Sequence, residues 1–304
     1  MPDNPTIAND KLMYRSYVVA VLDILGQKDA IRRLAEVDTV SPSSWQPDVI
    51  QALKGSLGRR DAVANAIVDS FRLTCSDTGT KKIAELDAQQ RELLSRFPQP
   101  EIKTFQFSDM VVAYMPFMTS EREPRVRDLM AMMSACATAL LTFISLGLPI
   151  RGGVELDYGL EPGNNEIYGP AFLRAYELEQ HVAQYPRIVV GMKLVKWIVA
   201  ASQLEATSQP QRIISALANH CWSLLARDDD GFFFIDYLGD ACRRIAVASG
   251  HSTALDEALA FAEKEHSRFM EMGNQKLAGR YAALRRYIEA RAPAWRSTDS
   301  KPKA

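Results

Sequence analysis

Two aspartates that lie in otherwise apolar stretches are the residues of this sequence best suited to catalysis or metal binding. Asp23 ends the apolar, β-rich run at residues 17–24, and Gly26 follows it closely. Asp109 lies inside a second apolar run, at residues 104–114. A buried strand that ends on a carboxylate is a common way to present a metal ligand, because the backbone fixes the position of the oxygen atoms. Taken singly, Asp23 also fits a polar strand end that caps a helix, and Asp109 fits a hairpin turn.

Together, these residues fit a two-metal site. We predict that Asp23, the carbonyl oxygen of Ile24 and Asp109 hold two Mg²⁺ or Mn²⁺ ions about 3.5–4 Å apart. In such a site one ion lowers the pKa of an attacking hydroxyl, and the other anchors a triphosphate and neutralises charge on the leaving group. The prediction requires that the strand at residues 17–24 lies beside the strand that follows Asp109.

The elements that must position these residues are strands and helices in the order β–α–β–β–α–β–α–β. Strands are predicted at residues 17–24, 101–108, 110–115, 147–158, 185–190 and 232–237. Ser108-Asp109, between the second and third of them, indicates a tight hairpin. The order predicts an α+β fold with a ferredoxin-like mixed sheet flanked by helices.

The helices are predicted where apolar residues recur with helical spacing. They cover residues 27–36, 49–75 with an interruption near Gly55 and Gly58, 81–97, 124–147, 170–183, 192–201, 213–225 and 253–291 with a break near Gly273. We expect one domain at residues 15–290, with a helical insert at about 41–100 and a C-terminal helical extension at about 253–290. Residues 1–14 are predicted to form a flexible arm, and residues 291–304 a disordered tail.

Composition and charge narrow the class of protein. The formal net charge of the 304 residues is −1, which gives no electrostatic reason to expect nucleic acid or an acidic membrane surface as a partner. The four cysteines and four histidines form no CxxC or HExxH pattern, so neither a disulfide framework nor a zinc site is predicted. In the uncharged stretch at residues 129–150, a buried helix is favoured over a membrane span. With no secretory signal visible, we expect a cytoplasmic protein.

Motifs in chain order resemble those of the class III nucleotidyl cyclases. Val-Leu-Asp-Ile-Leu-Gly at 21–26 resembles the first metal motif of that family, Phe-Ser-Asp at 107–109 the second, and Arg-Gly-Gly-Val-Glu-Leu-Asp-Tyr-Gly at 151–159 the strand that follows. A narrower resemblance, to the pyrimidine cyclases of the bacterial Pycsar anti-phage system, is carried by residues 167–171, 175–179, 185–190, 230–236 and 276–288. The resemblance covers about residues 15–290 and implies the class III cyclase version of the ferredoxin-like fold.

This resemblance implies an enzyme that converts UTP or CTP to 3′,5′-cyclic UMP or CMP and pyrophosphate. The 3′-hydroxyl would attack the α-phosphorus, and catalysis would depend mainly on positioning and charge stabilisation. UTP is favoured over CTP on family frequency alone. The resemblance also implies a homodimer with active sites at the interface, in which one subunit provides the metal ligands and the other provides transition-state groups. The cyclic product would activate a separate effector that kills or arrests the infected cell.

Two familiar catalytic positions of the family differ in this sequence. Leu173 stands where many class III enzymes carry a ribose-orienting asparagine, and Glu177 stands where they carry a transition-state arginine. Arg174 is therefore the predicted catalytic cation, and Arg187 is a second basic candidate with phosphate-binding and structural roles both open. Arg151 is expected to be an interface or structural ion-pair residue.

The positions that contact the base in purine cyclases also differ. Phe105 stands where adenylyl and guanylyl cyclases carry a base-contacting lysine, and Glu166 stands at the position of its acidic partner. Both are predicted substrate contacts, and Phe105 disfavours ordinary purine recognition. The alternatives left open are a purine cyclase with unusual base contacts and a degenerate cyclase fold that binds nucleotide or dimerises without catalysis. Leu173 and Glu177 motivate the degenerate fold, and the intact aspartate pair argues against it.

Overall fold

The structure is a computed structural model that describes residues 14–26, 47–83, 99–163, 166–248 and 253–296. It is an α+β fold in which helices flank a seven-stranded mixed sheet. The strands are β1 Arg15–Ile24, β2 Lys103–Phe107, β3 Met110–Pro116, β4 Ile150–Gly159, β5 Ile188–Val190, β6 Leu225–Arg227 and β7 Phe233–Ile235. The helices are α1 Pro47–Ile83, α2 Val126–Ser145, α3 Pro170–Glu177, α4 Met192–Ser202, α5 Gln209–Ser223, α6 Asp240–Ala248, α7 Ala254–Glu271 and α8 Gln275–Arg296.

The strand order in the sheet is β2-β3-β1-β4-β5-β7-β6. β1 is antiparallel to both β3 and β4, β2 is antiparallel to β3, and β4 is parallel to β5. The first four strands therefore follow the split βαβ arrangement predicted from the element order. The adjacency of β1 and β3, on which the two-metal prediction depends, is confirmed.

The residues that the structure describes cover the two faces of the sheet unequally. The alternation of side chains along β1 sends Val18, Ala20 and Leu22 into the larger core, which also contains α1, α2, α7 and α8. The opposite alternation sends Tyr17, Val19 and Val21 into a smaller core, with side chains of β3 and of the short helix α3. Asp23 follows Val21 in this alternation, so its side chain belongs to the face with less cover.

Glycines allow α3 to lie directly on the sheet. A Cβ atom on Gly153 would lie 2.3 Å from the carbonyl oxygen of Ala175 and 2.6 Å from Cβ of Leu178. The lack of a side chain at Gly153 therefore permits this close approach of the two backbones. Beyond Glu177 the chain continues in a π-helical turn, Leu178–Val182, which ends beside β5.

Helix α2 is long and apolar enough to cross a membrane, and it is the one such helix among the described residues. However, 83% of the most apolar 18-residue segment of this helix is buried inside the protein. This burial favours the predicted core helix over a membrane span. The helix ends at Ser145, before the end of the uncharged stretch, and Gly147 has the positive φ of 73° that favours glycine.

Several boundaries differ from the predictions. Helix α1 runs without interruption through Gly55 and Gly58, because the rest of the helix packs Val63, Ile67 and Phe71 into the larger core and offsets the helix propensity that glycine costs. The helix predicted at residues 213–225 ends at Ser223. Strand β6, which was not predicted, begins at Leu225, and its three residues are too few to give a pattern.

The predicted disordered tail is wrong at its start, because α8 continues to Arg296. Trp295 is buried, and its Nε1 donates a hydrogen bond of 2.8 Å to the carbonyl oxygen of Leu238, which fixes the last turn to the protein. The predicted break near Gly273 is confirmed, with φ of 67° at that glycine. The helix predicted at residues 27–36, most of the helix at 81–97, the arm before residue 14 and the tail after 296 lie outside the described residues.

Candidate active site

The hairpin between β2 and β3 positions Asp109. Ser108 and Asp109 form a two-residue turn, and Ser108 has a φ of 55°, the left-handed value that type II′ hairpin turns require at their first central position. Asp23 pairs with Met110 in the β1–β3 register, and the backbone N–H of Ile24 donates to the carbonyl oxygen of Asp109 at 3.4 Å. The backbone therefore fixes the end of β1 to the turn that carries the second aspartate, and the predicted tight hairpin is confirmed.

Asp23, Ile24 and Asp109 line one cavity, with a volume of about 220 Å³. The structure thus brings together the three predicted metal ligands. The other walls of the cavity come from the end of the sheet and from the C-terminal helices. They are formed by Leu25, Gly26, Arg151, Pro186, Phe269, Leu277, Arg280 and Tyr281. Cavities that enclose drug-sized ligands are commonly about 300–1,000 Å³, so this one has room for a small charged group.

A buried ion-pair cluster stands beside Asp23. Arg151 is the direct partner of Asp23 in the β1–β4 register, and its Nε and Nη2 both lie 3.1 Å from Oδ2 of Asp23. Nη2 of Arg151 also lies 2.8 Å from Oε1 of Glu179, a close ion pair that lacks hydrogen-bond geometry. All three side chains are buried. Arg151 therefore forms a structural ion pair, one of the two roles expected for it. Its partner Asp23 is also a candidate metal ligand.

Burial is the main cause of the shifted pKa of Glu179. Its complete burial raises the pKa of Glu179 to about 7, with Arg151 opposing the shift and the negative charge of Asp23 adding to it. Glu179 lies in the π-helical turn after α3, which Gly153 allows to approach the sheet. Glu179 was not among the predicted site residues, because nothing in the local sequence pattern shows that this turn lies over the end of β1.

Arg280 brings a second positive charge to the cavity. It projects from α8, is half-buried, and forms no hydrogen bond or ion pair with any other described residue. Burial lowers the pKa of Arg280, and the nearby charge of Arg151 lowers it further. Arg280 was not predicted from the sequence, because an arginine on an amphipathic helix is usually a solvated charge and only the docking of α8 reveals its position.

The predicted catalytic cation Arg174 lies outside this cavity. Its side chain is 52% exposed on α3, and its Nε lies 2.8 Å from Oδ2 of Asp157, an oxygen that also accepts a 2.6 Å hydrogen bond from Lys193. Burial of Asp157 acts to raise its pKa, but the contacts with Lys193 and Arg174 outweigh burial and lower the pKa. Arg174 is thus on the same sheet face as Asp23 but paired with a different acid.

Arg187 also lies away from the cavity, at the start of β5. It is 1% exposed, and its guanidinium is paired with the carboxylates of Asp228 and Asp230 and donates to the carbonyl oxygen of Val182. Its guanidinium carbon lies 4.7 Å from the ring centroid of Tyr185. Of the two roles left open for Arg187, these contacts favour the structural one.

Phe105 and Glu166, the predicted substrate contacts, do not line the cavity either. Phe105 is half-buried on the sheet face that carries Asp23, with its ring centroid 6.3 Å from that of Tyr114 and 6.2 Å from that of Phe172. The ring of Phe172 in turn stacks on Tyr176 at 6.2 Å. Glu166 is exposed in the loop before α3. The aromatic row offers stacking surface for a planar group, whereas the side chain of Glu166 is exposed to solvent.

The chemistry of the donors around the cavity fits hard divalent cations. Mg²⁺ and Mn²⁺ prefer carboxylate and carbonyl oxygens and usually complete their coordination with water or ligand oxygens. Asp23, Asp109 and the Ile24 carbonyl supply that set. No group of three or more histidine, cysteine, aspartate or glutamate side chains forms a metal site in the described part of the chain. The remaining ligands of any ion here would therefore come from water or from a bound anion.

The chain was compared with models of protein families, with curated proteins and with solved structures, and none of them matches it. Its likeness to the class III nucleotidyl cyclases therefore consists of the motifs and their order. The geometry of the cavity and of the sheet face beside it is the other evidence that bears on function.

Proposed function

We propose that this chain is a nucleotidyl cyclase of the class III type, which makes 3′,5′-cyclic UMP, or alternatively cyclic CMP, and pyrophosphate. The observation that carries the proposal is the convergence of Asp23, Ile24 and Asp109 on one cavity at the end of a split βαβ sheet. The order of the motifs along the chain adds support. The finer description of the fold, as a class III cyclase domain, belongs to the same proposal.

In this proposal the residues of the cavity hold and orient the substrate. Asp23, Asp109 and the Ile24 carbonyl would bind two Mg²⁺ or Mn²⁺ ions, which supply activation of the 3′-hydroxyl and charge neutralisation at the phosphates. Arg151 fixes the carboxylate of Asp23 at the end of β1. The hairpin turn fixes Asp109 through the backbone hydrogen bond to Ile24. Such preorganised charges stabilise a phosphoryl-transfer transition state without moving during the reaction.

The proposal extends to assembly and biological role. A homodimer would cover the sheet face that α3 covers only in part, and would bring Arg174 of one subunit towards the metal site of the other. The product would act as a second messenger on a separate effector in anti-phage defence, in the cytoplasm, where nucleoside triphosphates are made. UTP is proposed over CTP on family frequency alone.

A second candidate function is nucleotide binding or dimerisation without catalysis. One observation favours it: Arg151 pairs with Asp23 and thus competes with a metal ion for the carboxylate. The positions of Leu173 and Glu177, both exposed on α3, agree with this alternative. A purine cyclase is disfavoured by Phe105, whose aromatic ring cannot replace the hydrogen bonds of a lysine.

The test is incubation of the purified protein with each of the four ribonucleoside triphosphates and Mn²⁺, followed by chromatography of the products. We expect cyclic UMP or cyclic CMP from the wild type. Asp109→Asn should lower the rate at least about 100-fold, because a metal ligand loses its charge. Asp229→Asn, at an exposed acid in a turn far from the cavity in sequence, is the matched control and should keep full activity.

The outcomes separate the candidates. If the folded wild type forms no cyclic product from any of the four substrates, the enzyme proposal is wrong. Retained binding of a nucleoside triphosphate in that case would support the second candidate. Full activity of Asp109→Asn would overturn the metal assignment even if the wild type is a cyclase.

A further inference from the structure

The C-terminal helical extension forms one wall of the candidate active site. Helices α7 and α8 contribute Phe269, Leu277, Arg280 and Tyr281 to the cavity that contains Asp23 and Asp109. Three of these four side chains are apolar or aromatic, and Arg280 adds a guanidinium to the lining of the cavity.

Arg280 is held by a rigid part of the helix. Its neighbour Tyr281 is buried, with ring centroids 5.8 Å from that of Phe261 and 5.6 Å from that of Phe269. Ala278 and Leu284 on the same helix are also buried in the larger core. The backbone that carries Arg280 therefore cannot shift without disturbing this packing, and its side chain reaches the cavity from a fixed origin.

Among the described residues, Arg280 has no carboxylate at ion-pair distance. Arg151 is paired with both Asp23 and Glu179. Arg280 forms no hydrogen bond or ion pair with the residues that the structure describes, although Asp23 and Arg151 both act on its titration. With divalent cations on Asp23 and Asp109, the cavity would carry a large excess of positive charge. A polyphosphate, with several negative oxygens on adjacent phosphorus atoms, is the ligand class that such a site recognises.

We infer that Arg280 binds the polyphosphate group of the substrate or the pyrophosphate product, in the cavity that Asp23 and Asp109 also line. This inference rests on the proposed function in one respect, the identity of the ligand as a nucleoside triphosphate. It assigns the C-terminal extension a direct part in ligand binding. The planar guanidinium suits the role, because it can donate two parallel hydrogen bonds to phosphate oxygens.

The experiment measures binding of inorganic tripolyphosphate to the full chain by calorimetry in the presence of Mn²⁺, so that neither base recognition nor catalysis is involved. We expect the wild type to bind, and Arg280→Gln to weaken the affinity about tenfold or more, because a charge-assisted pair is lost. Arg280→Lys keeps the charge but loses the two-pronged geometry, and should fall between the two. Arg286→Gln, at an exposed arginine on the same helix, should bind as the wild type does.

Thermal unfolding of each variant establishes that the changes are local. The inference is overturned if the wild type does not bind tripolyphosphate, or if folded Arg280→Gln binds as tightly as Arg286→Gln. Parallel assays of cyclic product distinguish this failure from failure of the proposed function. Binding that depends on Arg280, without any cyclic product, would leave the inference standing and remove the cyclase activity. If Arg280→Gln forms as much cyclic product as the wild type and binds tripolyphosphate as tightly, the inference about Arg280 is wrong and the proposed cyclase activity stands.

Discussion

Asp23, Arg151 and Glu179 form a buried charge cluster in which a candidate metal ligand is held by a structural ion pair. Removing one partner of such a cluster leaves an uncompensated buried charge, which costs about 3–5 kcal/mol in measured cases. The three residues come from β1, β4 and the π-helical turn after α3. The cluster therefore couples the position of Asp23 to the packing of α3 on the sheet.

The raised pKa of Glu179 predicts how the stability of the protein depends on pH. Its ordinary pKa is 4.5, and burial raises the pKa to about 7 in the folded chain. Between these values the folded chain keeps a proton that the unfolded chain has released, so the free energy of unfolding falls as the pH rises. The stability that the raised pKa contributes is thus complete below about pH 4.5 and is lost as the pH rises through about 7.

Urea unfolding at several pH values between 5 and about 8 measures this slope. Glu179→Gln should have a weaker pH dependence than the wild type in this window, because its amide does not titrate. Glu263→Gln, at an exposed glutamate on α7, should keep the wild-type slope. Equal slopes for Glu179→Gln and the wild type would show that Glu179 is not the group responsible.

The candidate site was predictable from sequence only where its residues interrupt an apolar run. Asp23 and Asp109 met this condition, so their role as a pair was predicted and the structure places them on one cavity. Glu179 and Arg280 lie on helical segments where charged residues are expected in any case. Glu179 and Arg280 belong to the site because of the way their helical segments pack on the rest of the protein. Local sequence patterns carry no information about this packing.

At the scale of elements, the turn between β2 and β3 is where local strain and the candidate site coincide. Ser108 has a φ of 55°, and its carbonyl oxygen accepts a 3.4 Å hydrogen bond from Nη1 of Arg60 on α1. A side chain in this left-handed conformation costs roughly 1 kcal/mol or more relative to glycine, and a β-branched one costs more. The turn is therefore a place where backbone changes should alter Asp109 directly.

We predict that Ser108→Gly leaves stability unchanged or raises it by up to about 1 kcal/mol, and that Ser108→Val lowers it by about 1–2 kcal/mol. Ser108→Ala should resemble the wild type, because it has the same backbone restriction without the hydroxyl. Cyclic-product formation should fall in Ser108→Val more than in Ser108→Ala, since the strained turn would displace Asp109. The order of unfolding free energies from urea titration checks the first part. If Ser108→Val were as stable and active as Ser108→Ala, the turn would not control the site.

Elements with long, regular patterns were predicted well, and short ones were not. β1, the hairpin and α2 have the apolar runs that burial on both sides or in a core requires, and the structure contains all of them. β6, Leu225–Arg227, is too short for any period to be visible, and its identity as a strand comes from pairing with β7. The end of α8 was missed because the docking of Trp295 on Leu238 is a tertiary contact between distant parts of the chain.

At the scale of the whole molecule, the described residues cover one face of the sheet well, and among them α3 covers the other face only in part. On the latter face Phe107 is 66% exposed, and Leu173 of α3 is 53% exposed. Asp23, Phe105 and Arg174 all belong to this side of the sheet. This arrangement supports the proposed homodimer, because a second subunit would bury the apolar surface and bring its own α3 near the candidate metal ligands.

Subunit complementation tests whether Arg174 acts on the metal site of the partner. Asp23→Ala and Arg174→Ala should each be inactive as homodimers. Mixed and allowed to exchange, they form heterodimers in which one of the two sites has both residues intact. Random exchange should therefore restore about a quarter of wild-type activity. Cyclic product measured before and after exchange gives this fraction, and differently tagged subunits establish that heterodimers have formed.

Arg174 also pairs with Asp157 within its own subunit, so a local effect has to be separated from action across the interface. Lys193→Ala removes the other cation from the same Asp157 oxygen and is the matched control. If Arg174 acts in catalysis, Lys193→Ala should retain most of its activity while Arg174→Ala loses nearly all. Equal losses in the two variants would mean that Arg174 serves mainly to neutralise Asp157. Verified heterodimers with no recovery of activity would mean that Arg174 does not act on the partner's site, and the transition-state cation would have to be sought within the subunit, where Arg280 is already in the cavity.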